Sequence, residues 1–283
     1  MAFKIIECPR DAMQGIHDFI PTEKKVAYIQ KLLEVGFDTL DAGSFVSPRA
    51  IPQMKDTSEV IRRLDLSATH SKLLTIVANE RGADEAGDTE QVHYLGFPFS
   101  VSETFQLRNT NSTIEEAMKR VDYIQNVCEK RGKKLVIYLS MGFGNPYGDP
   151  WSPDIVIHWA DEMVKRGVQT ISLSDTIGVS NSENIRLLYR QLSQAYPQIE
   201  IGAHLHTRPE SWREKIEAAY ESGCTRYDGA IKGYGGCPMA ADSLTGNMPT
   251  EKLLSFLIEH NESPGLDSEA FFNAVLASAE VFH

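Results

Sequence analysis

The sequence predicts an α/β fold, a single (β/α)8 TIM barrel with extra C-terminal helices, on two observations. One unit recurs along the chain: an amphipathic helical stretch, then Gly with two or three more residues, then a short apolar run. No Ser/Gly-rich or low-complexity linker interrupts the 283 residues, and such barrels commonly reach this length as one domain. We therefore expect one catalytic domain over residues 1–283.

Eight apolar runs are the candidate strands. Four of them follow a glycine placed as a helix C-cap, at Gly36, Gly87, Gly167 and Gly223. The other four are FKIIEC, LLTIVA, KLVIYLSMG and IEIGAHLH. Helices are predicted over residues 22–35, 113–131, 152–166 and 182–195, and two more helices, from about Thr250, are expected to cap the barrel.

Composition excludes several functions. Lys and Arg total 28 against 39 Asp and Glu, a net charge of −11, which argues against binding to nucleic acid or to an anionic membrane surface. No apolar run approaches the roughly 20 residues that span a bilayer. The start, MAFKIIECPRD, is strand-like at once, so we expect no targeting segment and a cytoplasmic location. The four cysteines form no C-x-x-C pair and are expected to be reduced thiols.

The predicted strands end in polar residues. In TIM barrels the chemistry lies at the C-terminal ends of the strands, so side chains there should face one mouth. These candidates are Arg10 and Asp11 after strand one, Asp41 in strand two, Asp175 at the end of strand six, His204 and His206 at the end of strand seven, and Lys232 to Cys237 after strand eight.

His204 and His206 are spaced as i and i+2, which puts both imidazoles on the same face of a strand. With Asp11, and with the amide oxygen of Asn247, they form a nitrogen and oxygen ligand set that suits Mg²⁺ or Mn²⁺. Such an ion lowers the pKa of a bound hydroxyl, and Arg10 beside it could neutralise a developing enolate oxygen. This set favours chemistry on C–C bonds next to a carbonyl. The alternative is that Asp11 caps a helix, Arg10 pairs with a surface acid and the histidines are merely buried.

The segment GYGGCP, Gly233 to Pro238, is a glycine-rich loop with one cysteine. A mobile loop at the barrel mouth can carry a general acid into a site and exclude water, a role open to the thiol of Cys237. The alternative is a tight turn with an inert thiol. The spacing excludes a P-loop for phosphate.

These motifs together resemble the 3-hydroxy-3-methylglutaryl-CoA (HMG-CoA) lyase family, which is related to the isopropylmalate and homocitrate synthases. CPRDAMQ is similar to the family motif P-R-D-G-x-Q, and SFVSPRAIPQM, SETFQLRNTNSTIEEA, LSDTIGV, HLH, GYGGCP and TGNMPTE are similar to later family segments in the same order. The resemblance implies a metal-dependent retro-Claisen cleavage of HMG-CoA to acetyl-CoA and acetoacetate. It also implies an acyl-CoA substrate, a divalent cation and a homodimer.

Residue roles follow from the same resemblance. Asp11, His204, His206 and Asn247 match the cation ligands. Arg10 matches the catalytic arginine, Cys237 the loop cysteine and Asp175 the acid of the D-T-I-G motif, while Asp41 stands where the family has glutamate. The predicted substrate-binding residues are Gln14, which ends the first motif, Asn109 and Asn111 in RNTNST, and Arg208.

Departures from the family pattern fall on the substrate side. Thr207 to Glu210 replace the residues that usually follow the second histidine, Ala12 replaces the motif glycine, Gly15 to His17 replace Asn-Glu-Lys, and Met141 and Asn145 stand where cysteines are common. Arg208 could bind a substrate carboxylate or pair with Glu210 or Glu214. A related 3-hydroxyacyl-CoA therefore stays open as the substrate. The other readings are a condensing enzyme or aldolase of the superfamily and a non-catalytic barrel used as an interaction module.

Overall fold

The computed structural model describes residues 3–236 and 245–282 and contains a closed barrel of eight parallel strands that pair in sequence order. The strands are β1 (Lys4–Glu7), β2 (Thr39–Ser44), β3 (Lys72–Ile76), β4 (Val92–Ser100), β5 (Lys134–Ser140), β6 (Thr170–Asp175), β7 (Glu200–Leu205) and β8 (Arg226–Gly229). Pairing of β8 with β1 closes the barrel. Each strand overlaps a predicted apolar run, so the predicted TIM barrel is confirmed.

The helices surround this barrel. Within the described residues they are α1 (Pro9–Gln14), α2 (Thr22–Val35), α3 (Thr57–Arg63), α4 (Glu80–Asp88), α5 (Glu103–Thr110), α6 (Ile114–Arg131), α7 (Pro153–Lys165), α8 (Ser182–Ala195), α9 (Trp212–Glu221), α10 (Thr250–Glu259) and α11 (Ser268–Val281). The four helices predicted with bounds are α2, α6, α7 and α8, and each observed bound lies within one residue of the prediction. No helix in the described part is long and apolar enough to cross a membrane.

Three of the four predicted helix-ending glycines are confirmed. Gly36, Gly167 and Gly223 have φ values of +81°, +82° and +84° at or directly after a helix end, a conformation that glycine adopts without a steric penalty. The prediction for Gly87 is wrong, because α4 continues through it to Asp88. A Cβ on Gly87 would lie 2.8 Å from Cγ1 of Val127, so this glycine allows α4 to pack closely against α6.

The two C-terminal helices pack against different helices of the barrel. Helix α10 lies beside α9 and β8, and α11 lies against α2. The backbone N–H of Asp267, at the start of α11, donates to the carbonyl of Val35 at the end of α2, at 3.0 Å. This bond fixes the start of α11 to the end of α2, the helix that leads into β2.

Candidate active site

Asp11, His204 and His206 meet at the C-terminal mouth of the barrel. One potential ligand atom from each lies within 4.8 Å of the other two, and all three side chains are buried. His204 lies in β7 and His206 directly follows it, and their ring centroids are 5.2 Å apart, as the predicted i, i+2 spacing on one face requires. Helix α1 begins directly after β1, so it brings Asp11 to the same point. Asp11 does not cap this helix, because its N-cap residue is Cys8.

His204 is oriented by an acid that the sequence analysis missed. Its Nδ1 lies 3.0 Å from Oδ2 of Asp228, which lies on β8, so Nε2 is left for a ligand. Burial would lower the pKa of His204, but the hydrogen bond and charge of Asp228 outweigh burial and raise it. The available signal was an acidic residue at the end of the last strand, in RYDG.

His206 presents a neutral imidazole. Burial, with His204 beside it, lowers the pKa of His206 to about 4. Its Nδ1 is buried and has no hydrogen-bond partner among the described residues. Buried polar atoms are nearly always satisfied, so an orphaned imidazole nitrogen beside a carboxylate fits a divalent cation as the missing partner.

The carboxylate of Asp11 is ionised and held on both oxygens. Arg10 Nη1 donates to its Oδ1 at 2.9 Å and Gln14 Nε2 at 2.7 Å, while Asn247 Nδ2 donates to Oδ2 at 2.7 Å. Burial would raise the pKa of Asp11, but Arg10 and the two histidines lower it to about 2. Asn247 also donates to the carbonyl of Tyr234 at 2.8 Å, so its NH₂ group faces Asp11 here.

Arg10 forms a buried ion pair with Asp41. Its Nε lies 3.0 Å and its Nη2 2.5 Å from Oδ2 of Asp41. Burial raises the pKa of Asp41 to about 6 even though Arg10 lowers it. Asp41 in turn outweighs the burial of Arg10 and raises the pKa of the guanidinium. Both side chains are buried, which excludes the alternative that Arg10 pairs with a surface acid.

Asp175 lies near this cluster, but its carboxylate is engaged elsewhere. It accepts from the N–H groups of Val179 and Ser180, from the Ser180 hydroxyl at 2.5 Å and from Lys215 Nζ at 2.6 Å. Lys215 also donates to the carbonyl of His206 at 2.8 Å. The structure therefore connects Asp175 to the backbone of a candidate ligand and does not place it in the cavity lining.

A cavity of about 410 Å³ opens onto Arg10, Asp11 and the two histidines. Of the predicted substrate-binding residues, Gln14, Asn109 and Asn111 line it, together with Arg108 and Arg120. The lining also includes the apolar residues Val46, Ile51, Ile76, Pro98 and Phe105. Arg208 is exposed, is not in this lining and forms no ion pair with any residue in the described ranges, Glu210 and Glu214 included.

The glycine-rich loop begins beside the cluster. A Cβ on Gly235, which has φ of +99°, would lie 2.7 Å from both Asn247 Nδ2 and the backbone oxygen of Asp11. Only glycine can therefore approach the candidate ligands this closely. Cys237 lies outside the described residues, so its predicted role rests on the sequence and on this approach of the loop.

A second group of potential ligand atoms consists of Cys8, His204 and Asp228, also within 4.8 Å of one another. Burial raises the pKa of the Cys8 thiol well above its usual range, and nearby carboxylates raise it further. Nδ1 of His204 and Oδ2 of Asp228 are already hydrogen-bonded to each other at 3.0 Å, whereas Nδ1 of His206 has no partner among the described residues. These contacts therefore favour Asp11, His204 and His206.

A closed barrel with a carboxylate, two imidazoles and a buried arginine at its C-terminal mouth is the arrangement of a TIM-barrel enzyme. Residues 3–275 match the family model described as HMGL-like. The chain is 30% identical over 273 residues to the hydroxymethylglutaryl-CoA lyase of Pseudomonas mevalonii, covering 95% of this chain and 89% of that protein. It is 29% identical over 271 residues to the hydroxymethylglutaryl-CoA lyase of Bacillus subtilis, covering 94% and 88%. The chain belongs to the HMGL-like family. The prediction that it is a carbon–carbon lyase is confirmed by this family membership.

Solved structures show the same similarity. The HMG-CoA lyase of Bacillus subtilis superposes with a TM-score of 0.92 at 28% identity, over 99% of this chain and 93% of that one. An HMG-CoA lyase of Acinetobacter baumannii, solved in complex with coenzyme A and 3-methylmalate, superposes with a TM-score of 0.91 at 27% identity, over 99% and 91%.

Proposed function

We propose that this enzyme cleaves HMG-CoA, or a closely related 3-hydroxyacyl-CoA, in a reaction that depends on a divalent cation. The products are acetyl-CoA and a keto acid, which is acetoacetate when the substrate is HMG-CoA. The observation that carries the proposal is the buried cluster of Asp11, His204 and His206 beside the charged Arg10, at a cavity that apolar residues and two further arginines also line.

Asp11, His204 and His206 would hold the cation, which we propose to be Mg²⁺ or Mn²⁺ because the ligand set has nitrogen and oxygen atoms and no thiolate. Asn247 would be a fourth ligand if its amide turned its oxygen toward Asp11. When bound, the cation would hold the 3-hydroxyl and lower its pKa.

Arg10 would stabilise the charge that forms as the bond breaks. The 3-hydroxyl gives its proton to water, C3 becomes the carbonyl carbon of the keto acid as the C2–C3 bond breaks, and the electron pair of that bond passes into the enolate of acetyl-CoA. A guanidinium already fixed by Asp41 needs no reorganisation to receive a negative oxygen. The enolate then takes a proton at C2, for which we propose the Cys237 thiol as donor.

Groups around the cavity would bind the rest of the substrate. We propose that Gln14, Asn109 and Asn111 contact the acyl part, and that Arg108 and Arg120 attract the phosphates of CoA. The coenzyme A bound to the Acinetobacter baumannii relative supports a CoA thioester. Asp175 is proposed as a positioning residue that acts on His206 through Lys215. A single catalytic domain, a homodimer and a cytoplasmic location complete the proposal.

The test is to incubate the purified protein with HMG-CoA and to measure acetyl-CoA by chromatography, before and after removal of metal by a chelator. We expect activity to disappear on chelation and to return with Mg²⁺ or Mn²⁺. His206→Ala should prevent this recovery. His158→Ala, an exposed histidine on α7, is the matched control and should leave it intact. Full activity in exhaustively chelated protein would exclude the metal-dependent reaction, and faster condensation than cleavage would favour the condensing alternative.

A further inference from the structure

A row of side chains crosses the barrel interior below the candidate site. Strand register aligns Tyr138 of β5 with Ser172 of β6, Ser172 with Gly202 of β7, and Gly202 with Arg226 of β8. Residues in register on parallel strands project from the same face. His204 and Asp228 lie two residues further along β7 and β8, so this row forms the next layer down. Such layers are usually filled by branched apolar side chains.

This layer contains polar atoms without partners. We define the interior polar cluster as Tyr138, Ser172 and Arg226 of this layer together with Asp228 above it, each at least nine-tenths buried. The buried atoms without a hydrogen-bond partner among the described residues include Tyr138 Oη, Ser172 Oγ, Arg226 Nε and Nη2, and Asp228 Oδ1. Native proteins almost never leave so many buried polar atoms unsatisfied in one place.

Members of the cluster lie close together. A Cβ on Gly202 would lie 2.9 Å from Cδ of Arg226 and 3.3 Å from Oγ of Ser172, so the Arg226 side chain occupies the space that a glycine leaves open. Nη1 of Arg226 reaches to 3.5 Å from Oε2 of Glu200, at the lower end of β7. The Tyr138 ring meets the His204 ring edge-on, with centroids 5.4 Å apart. The cluster thus extends from the lower end of the barrel to the candidate ligand.

We propose that ordered water molecules fill the interior polar cluster and connect Arg226 to Asp228, which makes Arg226 a positioning residue for His204. The unsatisfied atoms include fixed donors on Arg226, hydroxyls that donate or accept, and the acceptor Oδ1 of Asp228. A water molecule can form hydrogen bonds with all three kinds of atom. An anion would be repelled by the carboxylate of Asp228, and a metal cation would be repelled by the guanidinium of Arg226.

The connection matters because Asp228 orients the imidazole. Its Oδ2 contacts Nδ1 of His204, but a carboxylate held by one oxygen can rotate out of this hydrogen bond. Water bonded to Oδ1 and anchored by Arg226 would fix the carboxylate plane. Removing such an outer partner of a ligating histidine typically weakens metal binding 10- to 100-fold. This part of the inference rests on the proposed metal site.

The first test is a high-resolution crystal structure of the metal-free protein. We expect ordered water within hydrogen-bond distance of Arg226 and of Asp228 Oδ1. A direct Arg226–Asp228 hydrogen bond, or an interior without water, would overturn the proposal. This test does not require that the protein bind metal, so it separates failure of the inference from failure of the proposed function.

The second test uses Arg226→Met. We expect its dissociation constant for Mn²⁺ to rise about 10- to 100-fold and the ¹⁵N spectrum of metal-free protein to show a changed tautomer of His204. Gly202→Ala, which displaces Arg226 without removing its charge, should act in the same direction. Lys25→Met is the matched control: Lys25 is a buried cation paired with Asp56 at 2.7 Å, on α2, and its loss should leave Mn²⁺ binding unchanged.

Equal Mn²⁺ affinity and an unchanged His204 spectrum in Arg226→Met and wild type would refute the positioning role. If wild type bound no Mn²⁺ at all, the proposed metal site would fail. The His204 spectrum of the metal-free variants would then decide the positioning role alone.

Discussion

Replacing Glu7 by glutamine should make the protein more stable at alkaline pH and leave its stability at acid pH nearly unchanged. Glu7 ends β1 and is buried, and it accepts from the backbone N–H of Ile231 at 2.8 Å and from the Thr250 hydroxyl at 2.6 Å. Burial raises the pKa of Glu7 from its ordinary 4.5 to about 8, although both hydrogen bonds lower it. A glutamine can keep both contacts, with Oε1 accepting from Ile231 and Nε2 donating to Thr250.

The direction of the effect follows from proton linkage. Between pH 4.5 and about 8 the folded protein keeps a proton on Glu7 that the unfolded chain has released, so the free energy of unfolding falls as pH rises. The stabilising contribution is complete below pH 4.5 and is lost as pH rises through about 8. A gap of about 3.5 pH units, at about 1.36 kcal/mol per unit, limits the loss to roughly 5 kcal/mol. Glu7→Gln has no such loss.

The assay is urea unfolding followed by circular dichroism, for both proteins, at intervals from pH 5 to pH 9. Subtracting the free energy of unfolding of wild type from that of the variant at each pH removes the contribution of every other titrating group. Glu115→Gln is the control, because Glu115 is exposed and Lys119 lowers its pKa. The free energy of unfolding of this variant should therefore differ from that of wild type by a constant amount between pH 5 and pH 9. If the free energy of unfolding of Glu7→Gln relative to wild type does not grow with pH, the reasoning is refuted.

Three further predictions concern the active site. Cys237→Ser should lower kcat about 10²- to 10⁴-fold with little change in KM if the thiol donates a proton, and unchanged turnover would make it a structural thiol. Arg120→Ala should raise the KM of the acyl-CoA more than it lowers kcat, because Arg120 lines the cavity and is proposed to bind the CoA phosphates and not the reacting atoms, and an unchanged KM would contradict this. Arg208→Ala should leave the ratio of kcat/KM values for HMG-CoA and related 3-hydroxyacyl-CoAs unchanged, since Arg208 is exposed, and a shifted ratio would restore it as a specificity residue.

Local patterns predicted most of the fold because each strand and helix carries its own periodicity. They also predicted the meeting of His204 and His206, since alternation along one strand fixes where both side chains point. Gly87 was misplaced because its role is a contact with α6, and sequence does not show which helix lies opposite. Asp228 and Arg226 were missed for a similar reason: an acid and a base on a short strand do not reveal whether they point inward.

The hydrogen bonds of Arg10 limit what the site can stabilise. A guanidinium has five N–H donors in one plane. Nε and Nη2 each donate to Asp41, and Nη1 donates to Asp11 and, at 2.9 Å, to Gln14. One N–H of Nη2 is left for a ligand. Because the other donors are engaged by Asp41, Asp11 and Gln14, this N–H is the donor of Arg10 that remains for a ligand in the cavity that Arg10 and Asp11 line. A site with one remaining donor and one cation suits a reaction in which negative charge develops on a single oxygen, as it does on the enolate of a thioester.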